Sequence, residues 1–123
     1  VLTNFEMDSR LVLSVILAGQ PPLTDLLRTA ALEDVAKRLC HYATLRLLSR
    51  TEIQAYLGHR ATIAGAKTLP FGADAIDAIY EIGRGNLRAT DNLALKSLVI
   101  AHDQDANAVD PTHVVGARKV LWP

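Results

Sequence analysis

The chain has little cysteine, little aromatic character and no excess of charge. Its one cysteine, Cys40, excludes an intrachain disulfide in the 123 residues and suits a reducing, cytoplasmic setting. The 13 basic residues balance the 13 acidic ones, so no whole-chain field recruits nucleic acid or an anionic membrane. Any anion site must come from a local cluster. Long apolar runs are missing too. The longest, Leu11 to Ala18, is interrupted by Ser14 and falls far short of the ~20 residues a membrane-spanning helix needs. Direct membrane insertion is therefore not expected, and no secretory signal pattern is present.

Familiar chemical constellations are absent as well. The histidines at 41, 59, 102 and 113 are scattered, and Cys40 and His41 would point in opposite directions on a strand. They make no zinc set, and no serine–histidine–acid arrangement has support. Gly65-Ala66-Lys67-Thr68 resembles the end of a phosphate-binding loop, but alanine precedes the lysine and a helical pattern precedes the glycine. Gly83-Arg84-Gly85 also follows a helical pattern, so it is no dinucleotide-binding turn.

What is present is a hydrophobic half, enough for a core. Leu11 to Ala18 is nearly continuous and β-branched at three positions, ahead of Gly19-Gln20-Pro21-Pro22. That pattern predicts a strand buried on both faces of a parallel sheet. Helical spacing follows over Leu23 to Leu39, and His41 to Leu48 reads as a second short strand. The order strand, helix, strand gives an α/β piece over residues 1–48.

From Ser49 onward every pattern is helical. Ser49-Arg50-Thr51-Glu52 is a capping box, with Ile53, Tyr56, Leu57, Ala61 and Ala64 as the apolar stripe and Gly65 as the stop. A helix over Asp74 to Ile82 buries Ile76, Ile79 and Tyr80 and ends at Gly83. Asn86 caps a longer helix to about His102, with Leu87, Asp91, Ala94 and Leu98 on one stripe and Leu93 and Ala101 beside it. Asp110-Pro111 opens the last helix, which carries Val114, Val115, Arg118 and Leu121. Residues 49–123 thus read as a bundle of helices joined by short loops.

Three positions are candidates for chemistry. Arg88 falls in the first turn of a helix, where a cation opposes the helix dipole. It is either an ordinary solvated arginine or one aimed, with the helix N-terminus, at an anion such as a phosphate. Gln20 ends the first predicted strand, where α/β proteins place ligands; it either contacts a phosphate or attacking water, or belongs to a chain reversal made by Gly19, Pro21 and Pro22. Arg38 falls late in the predicted helix, where a cation is favoured by the dipole alone.

The order of these pieces resembles the AAA+ ATPases of the ExeA/GspA secretion type and the related TniB-like transposition helpers. Leu2-Thr3-Asn4-Phe5-Glu6-Met7-Asp8-Ser9 is similar to the segment after the Walker B acids, and Val15-Ile16-Leu17-Ala18-Gly19-Gln20-Pro21 to the sensor 1 strand. Ala36-Lys37-Arg38-Leu39 is similar to the arginine-finger region, and Leu48 to Leu57 to the start of the helical lid. Gly83-Arg84-Gly85-Asn86-Leu87-Arg88 with Asp91-Asn92-Leu93 is similar to sensor 2, with Leu87-Arg88 where Pro-Arg is frequent.

The resemblance implies an α/β fragment followed by a helical lid, the C-terminal part of a P-loop ATPase. Walker A and Walker B would precede Val1. Gln20 would sense the γ-phosphate, Arg38 would reach a neighbouring subunit's nucleotide, and Arg88, with Arg84 beside it, would contact the nucleotide from the lid. ATP and Mg²⁺ are then cofactors of the longer protein and are not expected to bind the fragment alone, which should be inactive. The two strands would flank the Walker A strand in the intact sheet, so unpaired edges are expected to promote association. Implied partners are further copies of the chain, with DNA and a transposase, or a secretion-system protein. The ending at Leu121-Trp122-Pro123, without an envelope-binding extension, leans toward transposition. The alternative is a non-enzymatic helical interaction or DNA-binding module, weakened because the helix from Leu87 carries only Arg88 and Lys96 as cations.

Overall fold

The computed structural model describes residues 14–122 and divides them into two compact units, parting between Thr44 and Leu45. The proteins' described residues are mostly helical: α1 (Pro22–Leu27), a 3₁₀ turn (Ala30–Leu32), α2 (Glu33–Ala36), α3 (Arg50–Ile63), α4 (Ala73–Gly83), α5 (Leu87–Asp103) and α6 (Pro111–Leu121).

The first unit corrects the α/β expectation. Of the predicted strand Leu11 to Ala18, residues 11–13 lie outside the described residues, as does the whole segment Leu2 to Ser9. Residues 14–20 have no regular structure, and Ile16 is 89% exposed. His41 to Leu48 is likewise irregular. A strand exists only where its backbone groups find a ladder partner, and none is formed among the described residues. The apolar, β-branched composition of these segments fits a sheet, but composition cannot supply the neighbouring strand.

The single helix expected over Leu23 to Leu39 is also broken. Arg28 and Thr29 donate backbone N–H groups three residues back, to Asp25 and Leu26. The Thr29 hydroxyl donates to the same Leu26 carbonyl at 2.7 Å, and Thr29 itself is extended, with ψ at 150°. A threonine side chain that competes for helix carbonyls favours such an end.

The second unit is the helical bundle. Ser49 and Glu52 complete the capping box of α3, each side chain bonded to the other's backbone N–H. Gly65, at φ +85°, stops the chain beyond it. Asn86 accepts from the Ala89 N–H to cap α5, and Asp110 accepts from Thr112 and His113 to cap α6. Pro111 at the first helical position reinforces that start. The most extensive helix contact is between α5 and α6, and α4 packs on both. Ile53, Ile76, Ile79, Leu93, Val109 and Val114 are the large apolar side chains fully buried at the centre. A bridge between Phe71 and Val109 ties the loop before α4 to the loop before α6.

Several expected faces are displaced. The buried stripe of α5 is Thr90, Leu93, Ala94, Ser97 and Ala101, whereas Leu87 is exposed. Packing accepts small hydroxyl residues when their polar atom is served, as Ser97 is by the Leu93 carbonyl at 2.6 Å. In α6 the buried residues are His113, Val114 and Ala117, and Val115 faces out. Ala64, expected on the α3 stripe, is exposed. The bundle also begins earlier than Ser49. Arg46 makes a bidentate pair with Glu52, at 2.8 and 2.6 Å, so the stretch before the helix belongs to this unit.

Candidate functional site

The joint between α4 and α5 is the best-defined candidate. Helix α4 runs through Gly83, and Arg84 closes it in the left-handed conformation, φ 51°. Gly85 follows at φ +77°. The end predicted at Gly83 therefore falls one residue later, with an arginine in the position that usually favours glycine. Gly85 is confined for a further reason. Its carbonyl accepts from the Leu48 N–H at 2.9 Å, and a Cβ added to it would lie 2.9 Å from the Leu48 nitrogen and closer still to the Leu48 carbonyl oxygen. The irregular segment before α3 thus locks the joint through backbone contact alone.

This joint delivers two guanidinium groups. Arg84 pairs with Glu81 at 3.3 Å across an exposed edge, a contact that water screens. Arg88 is the second residue of α5 and is exposed. Among the described residues its side chain makes no hydrogen bond or ion pair. The first turn of α5 contains no acidic residue. The Asn86 side chain takes the Ala89 N–H at 3.0 Å, while helix geometry leaves the Leu87 and Arg88 N–H groups without an intrahelical acceptor. The local field is positive, from the arginines and from the helix N-terminus together. Such an arrangement can hold a phosphate-like anion.

Behind the joint, α3 braces α5. The Tyr56 hydroxyl lies 2.9 and 3.0 Å from the two carboxylate oxygens of Asp91. Burial, then the hydrogen bond to Asp91, raises the Tyr56 pKa above its ordinary value, so the phenol stays protonated and donates. Arg60 stands 6.0 Å from the Tyr56 ring centre. Arg50 links α3 to α4 by pairing with Asp77.

The other two candidates lie in the first unit, on separate segments. Gln20 is exposed and precedes α1; its carbonyl accepts from the Leu23 N–H at 2.8 Å. Arg38 lies beyond the end of α2, with its N–H donating to Val35 at 3.1 Å. The long helix whose dipole would have favoured it is absent, since α2 has 4 residues. A cleft of about 310 Å³ in this unit is lined by Thr24, Arg28, Leu39, Cys40, His41 and Tyr42 among others, and by neither candidate. In the second unit a smaller cleft, about 170 Å³, includes Pro70, Leu98 and His102. It lies near the far end of α5, about 20 Å along the axis from Arg88.

Sequence reasoning missed Gly85 and the Tyr56–Asp91 pair. Both left a signal: two glycines flank an arginine at the joint, and an acid sits on an otherwise apolar stripe opposite a tyrosine. Buried tyrosine hydroxyls normally find partners, which is what an acid on that stripe offers. Among the described residues no group of histidine, cysteine and acidic side chains could hold a metal, and no helix is long and apolar enough to cross a membrane.

The chain is 28% identical over 109 residues to general secretion pathway protein A of Aeromonas hydrophila. The match covers 89% of this chain and 20% of that protein, so the chain spans about one fifth of its relative's length. No family model matches the chain. No solved structure matches it either.

Proposed function

We propose that residues 45–122 form the helical lid of a secretion-pathway AAA+ ATPase, and that the α4–α5 joint offers Arg88, with Arg84 beside it, to the phosphates of ATP. The observation that carries this reading is the placement of Arg88. It stands in the first turn of a long helix that has no acid there, with its charge uncommitted, on a joint held by the Gly85–Leu48 backbone contact. The likeness to a general secretion pathway protein supports the secretion branch of the family resemblance over the transposition branch.

In that reading the arginine acts electrostatically. Phosphoryl transfer spreads charge over the transferring oxygens, and a guanidinium near them stabilises the transition state. Closure of the lid would bring the charge to the nucleotide. Gln20 and Arg38 belong to the same proposal as the γ-phosphate sensor and the residue reaching a neighbouring copy. No Gly-Lys-Ser or Gly-Lys-Thr occurs in these 123 residues, so this reading requires a phosphate-binding loop, and with it the Mg²⁺-holding acid the resemblance implies, from further sequence.

Two measurements test this. The 123-residue chain should release no phosphate from MgATP; magnesium-dependent turnover would sink the assignment of the catalytic parts. Although the resemblance leads one to expect no nucleotide on the fragment alone, the exposed Arg88 at the start of α5 should give it a weak affinity for ATP that Arg88→Ala reduces, and equal affinity in the two proteins would remove the role of Arg88.

A further inference from the structure

We infer that Tyr56 is a positioning residue for Arg88, keeping its guanidinium unpaired by holding the Asp91 carboxylate, an inference resting on the anion-binding role proposed for Arg88 above. Arg88 and Asp91 are three residues apart in α5, a spacing at which opposite charges on a helix surface meet. They do not pair. Among the described residues of this unit, the ion pairs that join an arginine to an acid are Arg46–Glu52, Arg50–Asp77 and Arg84–Glu81.

The reason lies on the neighbouring helix. The Tyr56 hydroxyl donates to the Asp91 carboxylate, its oxygen 2.9 and 3.0 Å from the two carboxylate oxygens. Tyr56 and Asp91 are each half-buried. A carboxylate in that setting gives up a firm neutral donor only at the cost of desolvation left unmet. Arg88 is exposed and surrenders nothing by staying in water. The order of the pair also helps, since an acid on the C-terminal side of a cation is the less favourable arrangement on a helix. Holding Asp91 toward α3 leaves the first turn of α5 with a net positive face. Without the phenol, Asp91 is free to turn to Arg88 and become an internal competitor for any anion that the arginine would bind.

Arginine reactivity reads this directly. The 123-residue chain is treated with phenylglyoxal, which modifies guanidinium groups, and the rate at Arg88 is followed by mass spectrometry. Tyr56→Phe should slow the reaction at Arg88 by about twofold, the size of effect an exposed helix pair can exert. The double variant Tyr56→Phe/Asp91→Asn should return it to the wild-type rate. A purely structural role for Tyr56 would give no such return. Asp91→Asn alone should leave the rate unchanged, which keeps the test open if Tyr56→Phe unfolds. An unchanged rate in folded Tyr56→Phe, a double variant as slow as the single one, or a faster rate in Asp91→Asn would each overturn the inference. Inorganic triphosphate as a protecting agent separates the two levels. If the rates shift as stated but triphosphate never protects Arg88, the positioning role stands and the anion-binding reading falls.

Discussion

Gly85 and Leu48 meet backbone to backbone, the Leu48 N–H donating to the Gly85 carbonyl at 2.9 Å with no room for a side chain between them. This contact joins the segment before α3 to the turn that aims Arg88. Gly85 also has φ +77°, a region that costs an L-residue roughly 1–2 kcal/mol. Gly85→Ala should therefore destabilise the bundle by about 2 kcal/mol or more, once the clash with Leu48 is added. Urea unfolding followed by circular dichroism checks this. A variant as stable as the wild type would mean that the joint is not fixed as described.

Arg84 gives the opposite expectation. Its φ of 51° places a large side chain in the left-handed region, and its pair with Glu81 is exposed. Arg84→Gly should stabilise the chain by roughly 0.5–1 kcal/mol in the same unfolding experiment. It should also weaken any binding of triphosphate, since one of the two guanidinium groups is lost. Stability and binding moving in opposite directions would mark strain kept for function.

Thr90 is fully buried, and its hydroxyl oxygen has no hydrogen-bond partner among the described residues. A buried polar atom left unpaired costs about 1–3 kcal/mol. Thr90→Val keeps the shape and removes the cost, so the thermal midpoint should rise, by about 1 kcal/mol in free energy. Thr90→Ser, which loses a buried methyl and keeps the hydroxyl, should lower it. A destabilised Thr90→Val would show that the hydroxyl is satisfied after all.

Glu52 makes the fold sensitive to acid. Its pKa is lowered to about 2, first by the hydrogen bond from Arg46, then by the Ser49 N–H and the Ser49 hydroxyl. A depressed carboxylate contributes stability above its unfolded pKa and loses it as pH falls through the folded value. The contribution of Glu52 should be complete above pH 4.5 and should decline between 4.5 and about 2. Comparing wild type with Glu52→Ala across that interval should show the difference in stability shrinking with acidification. A constant difference would contradict the pairing.

The bundle was legible from sequence because its signals are local. Ser49-x-x-Glu52, Asn86 and Asp110-Pro111 cap helices wherever those helices pack, and Ile53 with Leu57 and Ile76 with Ile79 fall at helical spacing within α3 and α4. The exact faces were less legible. Thr90 and Ser97 are buried because small residues admit close helix approach, and a hydropathy stripe passes over them. His113 is buried because its ring nitrogen Nδ1 accepts the Asp110 N–H at 3.0 Å, a cap whose usual partner is Glu or Gln. The first unit was read least well. Leu11 to Ala18 and His41 to Leu48 have strand composition, but strands are made by partners, and spacing within one segment carries no information about them. The placement of Arg84 and Arg88 at the α4–α5 joint was legible from the joint's glycines and Asn86, whereas Tyr56 was hidden by its place on an apolar stripe.

The central claim is that Arg88 and the start of α5 bind a phosphate-bearing anion, and nuclear magnetic resonance tests it most directly. The ¹⁵N-labelled chain is titrated with inorganic triphosphate while the backbone amides and arginine Nε groups are followed. The account predicts saturable shifts concentrated on residues 84–89, including the Leu87 and Arg88 amides, that disappear in Arg88→Ala. Shifts spread evenly over the basic residues, or a pattern unchanged by Arg88→Ala, would contradict it.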